Sequence, residues 1–399
     1  VHPRGADLRP RPRPWVCAPP RPINDRTKHR LRWFSFAMKP SITALGTAIP
    51  AHRITTDEAL QFLQQQMTLS EEWQRKIRIL YRQTRIQTRY SVLPDFGAGG
   101  DFFSSEAMPS TAERMRVYQA EALPLAQRAI AAALPEADLS TITHLITVSC
   151  TGMYAPGLDI DLIYQSKLPK QVSRTAINFM GCYAAFNALK VARSICQSEA
   201  RARVLVVGVE LCSLHFQPSL AEDQLVSNAL FGDGAAAVLI ENSERALLDL
   251  LDFYNDLEPA GRDDMGWYIR DYGFEMVLKA SIPRHLQAGI GALTNKLLER
   301  WQLTPEQVPL WAIHPGGRKI LEAIETALAL SPEQNLWAHR VLAQYGNMSS
   351  VTIFFVLQQI LQSTPPAGSP VVGMAFGPGL TIEAGLWRIG AATPAINQK

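Results

Sequence analysis

The stretch that decides the fold is NFMGCYAAFNALKVARSICQSEARARVLVVGVELCS, residues 178–213. It opens as a turn, continues as a helix and ends in an apolar strand. VLVVGV has no polar alternation, so both faces of that strand must be covered. The same cycle recurs outward in both directions. Upstream, HLITVSCTG (144–152) is a buried strand running into a polar turn, and SITALGTAIP (41–50) is a strand ending in Pro. Residues 56–90 and 111–134 carry helical patterns. Downstream, NALFGDGAAAVLIE (228–241) is a Gly-broken loop entering a strand. A helix is expected over 283–301, and PLWAIHPGG (309–317) is a strand ending in a loop. Helices follow at 317–330 and 349–363, and PVVGMAFGPGLTIEAGLWRI (370–389) supplies two final strands. Buried strands alternating with helices give an α/β fold with helices covering the sheets. The cycle appears twice, so two similar halves are expected, 38–245 and 246–399, divided near ENSERALLDL (241–250).

The composition fits a large core: 47% of the 399 residues are hydrophobic and 19% charged. No apolar run approaches the roughly 20 residues of a membrane-spanning helix. The net charge of +3 hides an asymmetry, because residues 1–37 hold nine Lys or Arg against two acids, +7, leaving about −4 for the rest. A mildly acidic body has no nucleic-acid footprint. The Pro- and Arg-rich residues 1–37 are expected to be a disordered extension. None of Cys17, Cys150, Cys182, Cys196 and Cys212 forms a CxxC pair, and no His pair has ligand spacing. A reducing cytoplasm and no metal are the expectation.

Three short pieces carry chemistry: GCYAA around Cys182, AIHPGG around His314 and YGNMSS around Asn347. Each follows an apolar stretch and opens a helix, where α/β folds keep their sites. Cys182 is either a small core residue or a nucleophile. As a nucleophile its thiolate would be favoured by a helix N-terminus and by a nearby imidazole. Cys, His and Asn suit a papain-like protease, with Asn orienting His. They equally suit a decarboxylating condensing enzyme, in which Cys carries an acyl group while His and Asn hold a thioester enolate.

NFMGCYAA, LFGDGAAAV (230–238), HPGGRKIL (314–321), YGNMSS (345–350) and AFGPGLTIE (375–383), in this order, resemble motifs of the chalcone synthase-like type III polyketide synthases. The resemblance spans residues 40–390. It implies a thiolase-like layered α/β/α/β/α fold of two related halves, a cytoplasmic homodimer, and no cofactor beyond the CoA thioesters used as substrates. Malonyl-CoA would extend an acyl-CoA starter. Cys182 matches the acyl-carrying nucleophile, and His314 and Asn347 match the pair that binds the malonyl thioester. Phe231 matches an aromatic gatekeeper, and Gly377, Pro378 and Gly379 match a loop shaping the cavity. Met276 replaces a second gatekeeper phenylalanine, Trp267 a cavity glycine, and Cys212 and His215 two threonines. CSLHFQPS (212–219) and WYIRDYGFEMVL (267–278) are similar to microbial members making alkylpyrones or alkylresorcinols.

The resemblance also places the CoA site along RKIRILYRQTRIQTR (75–89), where Lys76 keeps a basic position and Arg78 and Arg82 substitute for cations lost at Ile79 and Gln83. Ala155 stands where plant members carry methionine. With compact Cys150 and Cys212 it suggests a narrow apolar tunnel for a fatty acyl starter. The rival readings are a ketoacyl synthase performing one condensation and a non-catalytic thiolase-like partner subunit.

Overall fold

The computed structural model describes residues 38–97, 99–103, 108–135 and 138–392. The expectation for residues 1–37 lies outside them. The first half contains β1 (Pro40–Ala48), β2 (His52–Thr55), α1 (Thr56–Gln66), α2 (Glu71–Gln83), β3 (Thr88–Ser91), α3 (Thr111–Ala133) and β4 (His144–Ser149). It continues with α4 (Leu158–Gln165), β5 (Ser173–Asn178), α5 (Ala184–Ser198), β6 (Arg203–Leu211), α6 (Glu222–Leu230) and β7 (Asp233–Asn242). The second half runs through β8 (Leu248–Leu257), β9 (Met265–Arg270), β10 (Gly273–Leu278), α7 (Ile282–Glu299) and β11 (Leu310–Ile313). It ends with α8 (Arg318–Leu328), α9 (Leu336–Tyr345), α10 (Thr352–Gln362), β12 (Pro370–Gly377) and β13 (Thr381–Ile389).

The stretch expected to be helical over 56–90 is two helices and the start of a strand. Ser70 starts the second helix afresh, its hydroxyl accepting from the Trp73 N–H at 3.4 Å. A capping box at Thr55 and Glu58 starts the first.

The large sheet runs β11-β12-β13-β8-β1-β7-β6-β4-β5. Within it the duplication is visible as topology. Numbering the sheet strands in chain order gives 3-2-4-5-1 for the first half and 2-3-4-1 for the second, the same order once the outermost strand of the first half is left out. Directions agree as well: β4–β6 and β11–β12 are parallel, while β6–β7, β12–β13, β1–β7 and β8–β13 are antiparallel.

Strand alternation builds the layers. In β6, Val204 and Val206 face a middle core with α5 and α10, while Leu205, Val207 and Val209 face α3 on the outside. In β12, Val371 and Ala375 face the same middle core, and Val372, Met374 and Phe376 face α7 and α8. The result is the α/β/α/β/α stack of a thiolase-like fold, with α5 and α10 buried between the two half-sheets. α10 is buried over most of its surface, eight of its 11 residues, whereas α5 buries one face, seven of 15. A fully buried Leu, Ile or Phe contributes roughly 1.5–3 kcal/mol, so this middle layer is a large part of the fold's stability.

Candidate active site

The duplicated topology brings two helix starts together in the middle layer. Cys182 lies just before α5, and Asn347 lies in the loop that enters α10. His314 directly follows β11, and its N–H prolongs the strand ladder by donating to Met374 O at 2.8 Å.

The approach to Cys182 is a tight bend. Phe179 and Gly181 both have positive φ, 60° and 93°. A Cβ on Gly181 would lie 2.5 Å from Cδ of Pro378, and one on Gly377 would lie 2.5 Å from the Tyr183 ring. The 377–379 loop thus rests on the Cys182 bend because both sides are glycine at the contact. Cys182 itself is half-buried, and its Sγ donates to Ser349 Oγ at 3.8 Å. Burial pushes its thiol up to about 12, the buried Glu210 carboxylate adding to the rise while Ser349 and Asn347 pull it down. Among the described residues Cys182 Sγ makes no hydrogen bond to His314, and burial disfavours the thiolate. Cys182 precedes the first turn of α5 and sits in a low-dielectric cavity, so desolvation outweighs the helix terminus.

His314 is 1% exposed, and among the described residues neither ring nitrogen has a hydrogen-bond partner. Burial lowers its pKa to about 3, which keeps the imidazole neutral. Gly316 faces the ring, a Cβ there lying 3.7 Å from Cδ2 and 3.9 Å from Nε2. Asn347 Nδ2 donates to Gly316 O at 3.4 Å, and its Oδ1 accepts from the Ser349 N–H at 2.9 Å. Contacts therefore run from Cys182 through Ser349, Asn347 and Gly316 to His314. The Asn347 backbone also clamps the end of α6: its N–H donates to Leu230 O at 2.9 Å and its carbonyl accepts from Gly232 at 3.0 Å.

Sequence reasoning missed Glu210 and Ser349. Glu210 is fully buried at the end of β6. It accepts from the Cys150 N–H at 3.0 Å, from Thr151 Oγ1 at 2.8 Å, and from the Ser350 hydroxyl. These bonds offset the cost of burying a carboxylate, and they tie the end of β4 to the α10 loop. The signal was available, since Glu210 is an acid inside an otherwise apolar strand.

A cavity holding about 820 Å³ of atom-free space, part of it open to solvent, lies over Cys182. Of the expected residues, Cys150, Cys212, His215, Phe231, Trp267, Met276 and Pro378 line it, together with Ser349. Gly377 and Gly379 stand behind Pro378, and His314 and Asn347 lie outside the lining. Trp267 forms a fixed wall: it pairs with Met276 across the β9–β10 hairpin, and its indole N–H donates to Cys150 O at 2.8 Å. His215 is held as the Nε2–H tautomer, Nε2 donating to Thr151 O at 2.7 Å and Nδ1 accepting from Phe274 N–H at 2.9 Å. Its ring stacks on Phe274 at 4.2 Å.

Ala155 is not in this cavity. It is exposed and borders a separate hollow with Tyr118, Ser149 and Asp159. Of the three residues expected to border an apolar tunnel, Cys150 and Cys212 line the cavity and Ala155 does not. The apolar extension instead runs past Cys212 and His215 to Ile54, Phe96 and Phe216.

A second pocket, lined by Leu80, Gln83, Thr84, Leu230, Gly316, Gly317, Lys279, Arg318 and Lys319 among others, lies outside the first. Leu230 and Gly316 border it, while the adjoining Phe231 borders the inner cavity, so Phe231 stands between the two. Lys76, Arg78 and Arg82 do not line it. Lys76 is ion-paired to Glu72 at 2.6 Å. Arg78 and Arg82 point elsewhere, because helical residues advance by about 100° each and Leu80 and Gln83 occupy the pocket side. The cations at this pocket are Lys279, Arg318 and Lys319, and the last two lay within the HPGGRKIL motif.

No helix among the described residues is long and apolar enough to cross a membrane, and no group of three or more His, Cys, Asp or Glu among them could hold a metal ion.

The family description "Chalcone and stilbene synthases, N-terminal domain" matches residues 32–243, and the corresponding C-terminal domain matches 253–389. An α-pyrone synthesis polyketide synthase-like protein of Mycobacterium tuberculosis is 32% identical over 87% of this chain and 91% of its own. A type III polyketide synthase of Arabidopsis thaliana is 28% identical over 88% and 95%. A probable polyketide synthase of Dictyostelium discoideum is 30% identical over 86% of this chain, which spans 11% of that longer protein. Among solved structures, the C-terminal type III polyketide synthase domain of a Dictyostelium type I/III hybrid matches with a TM-score of 0.81 at 28% identity, covering 88% of this chain and 99% of that one. With both halves of the family matched in order, and with the fold of its solved members, the chain belongs to the chalcone and stilbene synthase family of type III polyketide synthases.

Proposed function

We propose that the chain condenses malonyl-CoA onto an acyl-CoA starter held on Cys182, with residues 38–245 carrying the nucleophile and 246–399 carrying His314 and Asn347. The observation that carries this reading is His314, a buried neutral imidazole whose two ring nitrogens have no partner among the described residues. Buried polar groups left unpaired are costly, and a thioester carbonyl is the kind of acceptor that would satisfy one. In the first step the Cys182 sulfur bonds the starter carbonyl, its proton passes to the departing CoA sulfur, and CoA leaves as the thiol. The malonyl thioester oxygen then accepts from His314 and Asn347 as CO2 departs. The enolate attacks the acyl group on Cys182 and expels the sulfur as thiolate, which takes a proton from solvent. The outer pocket, with Lys279, Arg318 and Lys319, suits the CoA phosphates.

The apolar end of the cavity at Ile54, Phe96 and Phe216 favours a fatty acyl starter, each buried methylene contributing up to about 0.8 kcal/mol. Pyrone or resorcinol-type products follow from repeated extension and ring closure. The chemistry calls for no cofactor beyond the thioesters, and we assign the protein to the cytoplasm. A homodimer is supported by β5, an edge strand with mostly exposed side chains.

Radiolabelled malonyl-CoA with a panel of acyl-CoAs tests the reading. Release of CO2 with pyrones or resorcinols in the mass spectrum supports it. A single condensation points to a ketoacyl synthase, and no turnover points to a non-catalytic subunit.

A further inference from the structure

Helix α2 carries charge that the site does not use. Ile77 and Tyr81 face the core, and Leu80, Gln83 and Thr84 border the outer pocket. At about 100° per residue, Arg75, Arg78, Ile79 and Arg82 fall together on the opposite side. All four are exposed, Ile79 by 49%. Among the described residues none of the three arginines takes part in an ion pair. Arg85 continues the charge beyond the helix end. All this stands on a body whose residues 38–399 sum to about −4, so the cations are concentrated rather than scattered.

We propose that this stripe docks an acidic carrier protein that delivers the acyl chain as a phosphopantetheine thioester, as a second route of loading beside free acyl-CoA. The inference rests on the acyl-transfer reading of Cys182. Three features point to this partner. Of the cations lining the pocket, Lys279 and Arg318 are ion-paired to Asp264 and Glu322, whereas the outward arginines have no acidic partner among the described residues. The stripe and the pocket lip share one helix, and Arg318 Nε pins the end of that helix through Gln83 O at 2.7 Å. A protein lying on the stripe would therefore hold its prosthetic arm at the pocket mouth. Lastly, one exposed apolar side chain ringed by cations fits a small protein contact with a charged rim. A membrane-bound helix would present several large apolar residues.

The test uses the full chain, a fatty-acid-type acyl carrier protein loaded with an octanoyl group, octanoyl-CoA and malonyl-CoA. The variant is Arg75→Glu/Arg78→Glu/Arg82→Glu. The wild type should elongate octanoyl from the carrier, and kcat/KM for that donor should fall about tenfold in the variant, three reversed surface charges acting together. Turnover of octanoyl-CoA should stay within about twofold, and raised salt should slow the carrier reaction in the wild type alone. Failure of the carrier to donate, or equal loss with both donors, would overturn the docking proposal. So would binding of the stripe to phosphatidylserine vesicles without carrier activity. Octanoyl-CoA turnover by the wild type separates these results from failure of the polyketide synthase reading itself.

Discussion

Gly181→Ala is expected to silence the enzyme while leaving it folded. A Cβ at this position would lie 2.5 Å from Pro378 Cδ, whereas ordinary contact begins near 3.4 Å, so the bend and the 377–379 loop must separate by about 0.9 Å (3.4 − 2.5). The backbone there has φ +93°, and a left-handed conformation costs a residue with a side chain roughly 1–2 kcal/mol. Spread over the unfolding entropy of the whole chain, that lowers Tm by only about 2 °C. The displacement falls on the neighbouring Cys182, and a misplacement of about 1 Å at a reacting atom can cost about 100-fold in rate. Product formation from malonyl-CoA and a starter should therefore drop about 100-fold, while differential scanning fluorimetry registers a small shift. Gly181→Ala combined with Pro378→Ala should regain part of the rate, since the clash is relieved and the backbone strain is not. Wild-type activity in Gly181→Ala would refute the argument that the two glycine-edged segments fix the nucleophile.

Cys182→Ala should form no product by mass spectrometry yet keep its circular dichroism, because removing one sulfur costs little packing. His314→Gln and Asn347→Ala should each slow CO2 release from malonyl-CoA by about 100- to 1000-fold, the usual loss for one oxyanion donor. The buried neutral His215 has its pKa lowered to about 3, below its unfolded value, so its contribution to stability is complete above about pH 6.5 and declines as pH falls toward 3. Calorimetric Tm should fall over that range, and His215→Gln should flatten the slope. An unchanged slope would mean that His215 is protonated in the folded protein.

Much of this was legible in the chain. The continuous apolar runs of β4, β6, β7 and β12 announce strands covered on both faces, and the motifs around Cys182, His314 and Asn347 mark where helices meet strand ends. The details that failed have a common cause. Which side of a helix faces a pocket depends on its seating, so Lys76, Arg78 and Arg82 were assigned to a lip that Leu80 and Gln83 occupy. Ala155 is close in sequence to Cys150, yet the 153–157 turn carries it to the surface. The protonation of Cys182 could not be read either, because the sequence shows the helix start and hides the depth of burial.

The missing outermost strand of the second half limits how copies of this molecule can add to one another. One end of the sheet, β5, is open along its length. At the other, β11 is only four residues long, and its Trp311 N–H is already taken by Gln334 O at 3.1 Å. Two open ends would let chains join head to tail without limit. A pair joined through β5 would use up both open edges and leave none for further growth.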